Sequence, residues 1–260
     1  MRRPKFPATR QPWTGSPEPV HLCTCTAARL HICTSARKHP LTRTRIKICG
    51  LTREADVDDA VAAGADALGF VLWPGSARHV SLAHAATLIA RLPPFVTPVL
   101  LFVNAAPDEI SAATALLPQA VLQFHGDETP AQCRAAGRPW LRAARIGSTG
   151  QVAHDDTGLG LLDFAARFAG AQALLLDADV PGYGGAGKVF DWSLIPRGVP
   201  LPVVLSGGLN PANVTAGVLS VRPWAVDVSS GVEISKGVKD AVLMRRFCDA
   251  VRQADQPLAA

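Results

Sequence analysis

The sequence predicts an α/β fold, a (β/α)8 TIM barrel preceded by an irregular N-terminal extension. From residue 45 onward, short aliphatic or β-branched runs alternate eight times with Ala-rich amphipathic segments. This alternation implies a parallel sheet covered by helices, and eight units in residues 45–254 fit the small end of the barrel's size range. An open doubly wound sheet is the alternative, but the first strand–helix turn lacks the G-x-G-x-x-G fingerprint. We therefore expect one barrel domain over 45–254 and a C-terminal tail over 255–260.

Each predicted strand is a short apolar run bounded by turn residues, as expected for strands buried on both faces. The eight runs are 45–49, 67–72, 97–103, 120–124, 140–146, 173–177, 203–206 and 225–228. Helices are predicted between and after them, near 53–63, 81–91, 107–116, 129–136, 158–169, 191–195, 211–219 and 239–252.

Local signals place the ends of several helices. Thr52 is positioned to cap the first helix, and Gly64 follows its last residue. Asn210 and Pro211 form a cap followed by a proline at the start of the seventh helix. The eighth helix is amphipathic, and its apolar face comprises Leu243, Met244, Phe247, Cys248 and Val251.

Composition excludes several classes of protein. Of the 260 residues, 48% are hydrophobic and 18% are charged, which is too apolar for an intrinsically disordered chain. No apolar run reaches the roughly 18–20 residues that a membrane span requires. Six cysteines are too few for a disulfide scaffold. We therefore expect a globular protein with no membrane partner.

The net charge of +5 comes from the N-terminal extension. Residues 1–45 carry nine Lys or Arg against one acid, whereas the remaining residues carry 17 bases and 20 acids. The barrel is thus mildly acidic, which gives no support to a nucleic-acid partner. Residues 1–44 show neither helical nor strand periodicity and contain six prolines, so we expect them to be irregular and disordered.

Four interpretations of the extension are open. Cys23, Cys25 and Cys33 lie among histidines, but their spacing lacks the paired halves of a zinc site. A nucleic-acid-binding arm rests on charge alone. A targeting peptide would need an apolar or amphipathic segment that is absent. We favour translated upstream sequence, with the functional start near Leu41.

Chemistry in such a barrel is carried where the strands end. Cys49 ends the first strand beside Lys47, and a thiol is a usable base where positive charge lowers its pKa; buried cysteines are, however, more often inert packing. Asp177 ends the sixth strand after an apolar run, which suits a carboxyl group to proton donation, although a capping role is the alternative. Arg78 follows the second strand and either grips a carboxylate or is solvated.

Small residues follow the seventh and eighth strands, where barrels often hold a phosphate group. Their backbone N–H groups approach an anion closely, although tight turns alone are the alternative. The residues concerned are Gly207, Gly208, Ser229, Ser230 and Gly231. A glycine-rich segment over 181–188 is predicted to form a mobile lid.

Seven motifs in order resemble the phosphoribosylanthranilate isomerase family of tryptophan biosynthesis, and the resemblance covers about 46–253. They are KICGLT at 47–52, GSARHV at 75–80, LQFHG at 122–126, LLLDA at 174–178, PGYGGAGKVFDW at 181–192, SGGLNPANV at 206–214 and DVSSGVE at 227–233.

The resemblance implies an Amadori rearrangement of N-(5-phosphoribosyl)anthranilate to 1-(2-carboxyphenylamino)-1-deoxyribulose 5-phosphate. It implies Asp177 as the general acid, Cys49 as the general base and Arg78 as the ligand of the anthranilate carboxylate. The phosphate would be held by Gly207, Gly208, Ser229, Ser230 and Gly231, with Asp227 shaping the loop. It also implies a cytoplasmic enzyme with a phosphorylated small-molecule substrate and no metal or cofactor. We expect a monomer.

Two features depart from the family pattern. Ala186 stands in the glycine-rich loop where members often carry a hydroxyl residue, and residues 1–44 precede the point where relatives begin. The related histidine-pathway isomerase is the nearest alternative, but it would be expected to end its first strand in a carboxylate, not Cys49. A non-catalytic phosphate sensor would need neither Cys49 nor Asp177.

Overall fold

The computed structural model describes residues 43–153, 160–178 and 189–256. Within them, eight parallel strands close into a barrel, because β1 pairs with both β2 and β8. The strands are β1 (Arg45–Cys49), β2 (Ala67–Val71), β3 (Thr97–Phe102), β4 (Val121–Phe124), β5 (Trp140–Ile146), β6 (Ala173–Ala178), β7 (Val203–Leu205) and β8 (Ala225–Val228). The predicted fold class is confirmed.

Helices surround the barrel. They are α1 (Glu54–Ala63), α2 (Leu82–Ile89), α3 (Pro107–Leu116), α4 (Pro130–Ala135), α5 (Leu161–Arg167), α6 (Val214–Val221) and α7 (Ala241–Asp255). Single 3-10 turns occupy Trp192–Leu194 and Ser230–Val232, and an antiparallel hairpin of β9 (Glu233–Ser235) and β10 (Val238–Lys239) precedes α7. The hairpin is absent from the sequence prediction.

Alternation along each strand divides the core into an outer and an inner set of side chains. Ile46 and Ile48 of β1 belong to the large cluster that includes the helices' apolar residues. Cys49 belongs instead to a small cluster with Val71 and Leu101 from the next two strands. Because successive side chains of a strand point to opposite faces, Ile46 and Ile48 pack against the surrounding helices. Lys47 and Cys49 therefore point toward the barrel interior.

Three local predictions are wrong. Thr52 does not cap α1, since its hydroxyl donates to the Gly237 carbonyl and Arg53 takes the cap position without a side-chain hydrogen bond. The seventh predicted helix begins at Val214, because residues 211–213 form a turn in which Asn210 Oδ1 accepts from the Ala212 N–H. The sixth predicted helix is only the 3-10 turn at Trp192–Leu194.

The ends of α1 and α7 follow simple capping rules. Gly64 terminates α1 with φ 85°, as its position predicts, because glycine adopts the left-handed region without a Cβ penalty. Asp240 starts α7 by accepting from the Leu243 N–H at 2.8 Å. The predicted apolar face is confirmed: Phe247 and Val251 are fully buried, and Leu243 packs at its edge.

Several predictions fall outside the described residues. The extension over 1–42 and the glycine-rich lid over 181–188 lie there, so both remain predictions. The proposed domain boundaries remain predictions as well. In the described part of the chain, none of the helices combines the length and apolar character needed to cross a membrane.

Candidate active site

Cys49 and Asp177, the predicted base and acid, both end barrel strands on the same rim. Cys49 is the last residue of β1, and Asp177 is the penultimate residue of β6. Two strands, β7 and β8, separate β1 from β6 along the shorter path around the barrel. Both residues are buried, with 5% and 7% of their surfaces exposed. A ligand seated in the mouth therefore meets the thiol and the carboxyl group from different sides.

The Cys49 thiol lies between opposing electrostatic influences. Burial raises the pKa of Cys49 above its ordinary value, and the ammonium group of Lys47, which hydrogen-bonds to it, offsets part of that rise. The positive charge expected near this thiol is therefore present, but desolvation outweighs it and the expected lowering does not occur. Because the thiol must lose its Sγ proton before Cys49 can act as a base, the Lys47 ammonium group beside it favours the thiolate electrostatically.

Lys47 is held by a buried ion pair across the barrel's closing seam. Its Nζ donates to Asp227 Oδ1 at 2.9 Å, and the two side chains are 5% and 6% exposed. The residues face each other in the register of β1 and β8. Burial lowers the pKa of Lys47, but Asp227 and Cys49 outweigh it and leave the pKa above its ordinary value. Asp227 thus anchors the lysine that contacts the thiol.

Asp177 faces a pair of polar side chains from β4. His125 Nε2 lies 3.3 Å from Asp177 Oδ2, and Gln123 Nε2 lies 3.1 Å from His125 Nδ1. With the amide oriented this way, Gln123 donates to Nδ1, which places the imidazole proton on Nε2, toward the carboxylate. The other carboxylate oxygen accepts from the Ala178 N–H at 2.9 Å. One oxygen of the acid candidate is therefore held by a hydrogen bond, and the other faces the His125 imidazole.

Arg78 reaches the mouth from the loop after β2. The aliphatic part of its side chain packs against Gly50, and a Cβ added to Gly50 would lie only 2.5 Å from Arg78 Cδ. The guanidinium group forms a two-pronged pair with Glu233, with Nε and Nη2 each 2.8 Å from a carboxylate oxygen. Lys239 also donates to Glu233, at 2.7 Å. Arg78 is therefore a buried, oriented cation, not a solvated one.

The loops after β7 and β8 have the compact backbone expected of an anion site. Gly207 and Gly208 have φ 79° and 66°, a region that favours glycine. A Cβ on Gly207 would lie 2.7 Å from the Ala178 amide nitrogen. Asn213 braces the loop, since its Nδ2 donates to the Gly208 carbonyl at 3.0 Å. Ser229 precedes the 3-10 turn that contains Ser230 and Gly231.

An apolar wall adjoins Cys49 inside the mouth. Val71, Leu101 and Val103 cluster with the thiol, and Trp73 packs against them from the end of β2. These side chains come from the ends of two neighbouring strands, β2 and β3. A flat aromatic group would find contact here without burying a polar atom.

A second charged network holds the ends of β4 and β5. Arg142 donates to Glu128 at 2.8 Å and to the carbonyl oxygens of Phe124 and Gly126. Glu128 in turn accepts from the Asn104 and Gly126 N–H groups. Burial lowers the pKa of Arg142, and Glu128 opposes that effect. This network lies outside the thiol cluster and stiffens the rim that carries His125.

Four participants lay outside the candidate site residues predicted from the sequence: Gln123, His125, Glu233 and Lys239. The signal for the first two was available, because both sit at the carboxyl end of a predicted strand, two residues apart and on one face. No such signal exists for Lys239, which the prediction placed at the start of the last helix. Its hairpin follows the barrel's final strand and folds back on β1, a long-range arrangement that no local pattern encodes.

A closed parallel barrel with a thiol and a carboxyl group buried at one mouth defines a (β/α)8-barrel enzyme of the acid–base type. The family model for N-(5'-phosphoribosyl)anthranilate (PRA) isomerase matches residues 46–250. The chain belongs to the phosphoribosylanthranilate isomerase family. It is an isomerase of tryptophan biosynthesis, and the predicted family and activity are confirmed.

Relatives in sequence and structure agree. The N-(5'-phosphoribosyl)anthranilate isomerase of Leptothrix cholodnii is 70% identical over 213 residues, which cover 82% of this chain and 93% of that protein. The crystal structure of phosphoribosyl anthranilate isomerase from Thermotoga maritima is 38% identical with a TM-score of 0.71, covering 81% of this chain and 99% of that one. A similar isomerase, crystallised in complex with reduced 1-(o-carboxyphenylamino)-1-deoxyribulose 5-phosphate, is 36% identical with a TM-score of 0.68 and the same coverage.

Proposed function

We propose that Cys49 and Asp177 are the general base and general acid of the isomerisation. The observation that carries this assignment is their placement: two buried proton-transfer groups end β1 and β6 on one rim, each with its own polar support. Lys47 contacts the thiol and stabilises its thiolate. His125 faces the carboxyl group. Two groups in different environments suit a reaction that needs one proton given and one removed.

In the first step Asp177 donates a proton to the ribose ring oxygen of the aminoaldose. The anilino nitrogen lone pair moves toward C1 as the C1–O bond breaks, and an iminium form of the opened sugar results. The Ala178 N–H and His125 then stabilise the carboxylate that remains.

In the second step the thiolate of Cys49 removes the C2 proton. The C2–H electron pair forms the C1–C2 double bond and neutralises the iminium nitrogen, which gives an enolamine. Tautomerisation to the ketone completes an isomerisation in which no atom is gained or lost. Lys47 lies close enough to the sulfur to stabilise the thiolate before the transfer.

We propose three contacts for the substrate. The backbone of Gly207, Gly208, Ser229, Ser230 and Gly231 holds the phosphate. Arg78 binds the anthranilate carboxylate, and the wall containing Trp73 and Leu101 accepts the aromatic ring. The ligand of the crystallised relative carries a phosphate and a carboxyphenyl group, which matches one site for each.

The test is a fluorescence assay on freshly generated phosphoribosylanthranilate, whose anthranilate-like emission falls as the substrate is consumed. The full-length protein and a shortened protein beginning at Thr42 are compared. Equal enzyme-dependent decay in both supports the reaction and a dispensable extension. No decay from either protein, with an intact circular dichroism spectrum, would overturn the proposal and favour a phosphate-binding sensor.

We propose a monomer in the cytoplasm. The large exposed hydrophobic side chains of the described residues, such as Phe95 and Ile234, each lie on a different element or loop. Cys49, Cys133 and Cys248 are free thiols, as in reducing compartments. Light scattering coupled to gel filtration tests the monomer: twice the chain mass would overturn it.

The absence of a metal or cofactor requirement remains a prediction, tested by activity after dialysis against a chelator.

A further inference from the structure

A buried cluster of three charges lies behind the site, composed of Arg78, Glu233 and Lys239. Glu233 Oε1 accepts from both cations, from Arg78 Nε at 2.8 Å and from Lys239 Nζ at 2.7 Å. Side-chain exposure is 10% for Arg78, 5% for Glu233 and 0% for Lys239. The cluster therefore holds two positive charges and one negative charge away from bulk water.

The hydrogen bonds of Lys239 identify it as an ammonium group. Besides Glu233, its Nζ lies 2.6 Å from the Cys49 carbonyl oxygen, 3.1 Å from the Ser229 carbonyl oxygen and 3.3 Å from Ser229 Oγ. Three of these four oxygen atoms, the Glu233 carboxylate oxygen and the two carbonyl oxygens, can only accept, and they match the three N–H donors of the charged form. A neutral amine would turn a lone pair toward one of them. Burial lowers the pKa of Lys239 below its ordinary value, and Glu233 offsets part of that fall.

The net charge of the cluster depends on Lys239. Arg78 and Glu233 alone would form a neutral, two-pronged pair, and such a pair presents little field to an incoming carboxylate. Since Lys239 shares the same carboxylate, the cluster keeps a net charge of +1, and its solvent-facing member is Arg78. In a site of low dielectric constant that remaining charge acts strongly on an anion.

We propose that Lys239 is a positioning residue for substrate recognition: by sharing Glu233, it leaves the Arg78 guanidinium with uncompensated positive charge for the anthranilate carboxylate. This inference rests on the proposed role of Arg78. It explains why a lysine whose hydrogen bonds all go to protein oxygens is buried beneath the mouth. It also accounts for Glu233, whose single negative charge is shared between Arg78 and Lys239.

The experiment compares two ligands in a direct binding titration. One is reduced 1-(o-carboxyphenylamino)-1-deoxyribulose 5-phosphate, and the other is the same compound without the carboxylate. The Kd of the compound without the carboxylate, divided by the Kd of the compound with it, measures recognition of the carboxylate alone; this quotient is the Kd ratio. Lys239→Met should weaken the carboxylate compound about tenfold relative to the other. Lys239→Met combined with Glu233→Gln should restore most of the ratio, because Arg78 regains its charge.

Lys236→Met is the matched control. Lys236 lies on the same hairpin but is exposed, so the Kd ratio should remain unchanged because solvent screens its charge. Glu233→Gln alone keeps both cations and should not lower the ratio below the unmodified protein. If Lys239→Met does not fold, as judged by circular dichroism, Lys239→Gln takes its place.

Two outcomes would overturn the inference: an unchanged ratio in Lys239→Met, which includes equal weakening of both compounds, or no recovery in the double variant. A fall in the ratio for Glu233→Gln alone would also overturn it, since Glu233 would then act through geometry. Arg78→Met separates the two proposals. If Arg78→Met leaves the Kd ratio unchanged, the proposed role of Arg78 fails. If Arg78→Met brings the Kd ratio close to one while Lys239→Met leaves it unchanged, only the proposed role of Lys239 fails.

Discussion

Removal of Lys47 should destabilise the fold far more than removal of a surface cation. Lys47→Met leaves Asp227 charged, buried and without the ammonium group that now lies 2.9 Å away. Breaking a buried pair in this way costs about 3–5 kcal/mol, because the remaining charge stays desolvated. For a domain of this size, about 2–4 °C of Tm is lost per kcal/mol, so Tm should fall by roughly 6–20 °C.

The measurement is equilibrium urea unfolding followed by far-ultraviolet circular dichroism, with Tm from calorimetry. A double variant, Lys47→Met with Asp227→Val, removes both charges and should lie within about 1 kcal/mol of the unmodified protein. Arg91→Met is the surface control, since its ion pairs with Asp58 and Glu54 are solvent-exposed. It should leave Tm nearly unchanged.

Two results would refute this reasoning. A loss below about 1 kcal/mol for Lys47→Met would show that Asp227 is rehydrated at little cost. A double variant as unstable as the single one would show that packing, not charge, explains the loss. The pH dependence gives a further check: since the pKa of Lys47 is raised, its stabilisation is complete below its unfolded pKa and is lost as pH rises through the folded pKa.

Three further predictions concern catalysis. Cys49→Ser and Asp177→Asn should each abolish turnover while the circular dichroism spectrum stays native; retained activity in either would show that the assigned proton-transfer role is wrong. Because burial raises the pKa of Cys49, kcat/KM should climb as pH rises above neutrality, and a flat pH–rate profile would exclude the thiolate as the base. Gly207→Ala should cost about 1–2 kcal/mol of backbone strain and also lower kcat, since its Cβ would press on Ala178 beside the acid. Gly198→Ala is the matched control, because Gly198 has φ 86° and open space around it; the variant should lose a similar amount of stability and leave kcat unchanged.

The barrel was predictable because its signals are local. The apolar runs of β1, β5 and β8 match the structure to the residue, since short buried strands between turns leave a clear pattern. Helix starts were less predictable. Thr52 has the chemistry of a cap, but the hairpin after β8 offers its hydroxyl the Gly237 carbonyl instead. A tertiary contact thus displaced a local preference.

The candidate site divides in the same way. The positions of Cys49, Arg78 and Asp177 at the mouth were predictable, because each lies at or just after the end of a recognisable strand and a barrel's chemistry belongs at that end. Glu233 and Lys239 were not, because their partners lie far away in sequence: Arg78 is 155 residues from Glu233. Only the folded chain shows which charges share one carboxylate.

The surroundings of Cys49 are drawn from both ends of the chain. Asp227 lies 180 residues after Lys47, and Lys239 lies 190 residues after Cys49. During translation, a nascent chain that has emerged only as far as β7 carries the thiol without either partner. The reactive centre is therefore completed last although its cysteine is synthesised early. A chain stalled or truncated before the hairpin would be inert even with most of its strands formed.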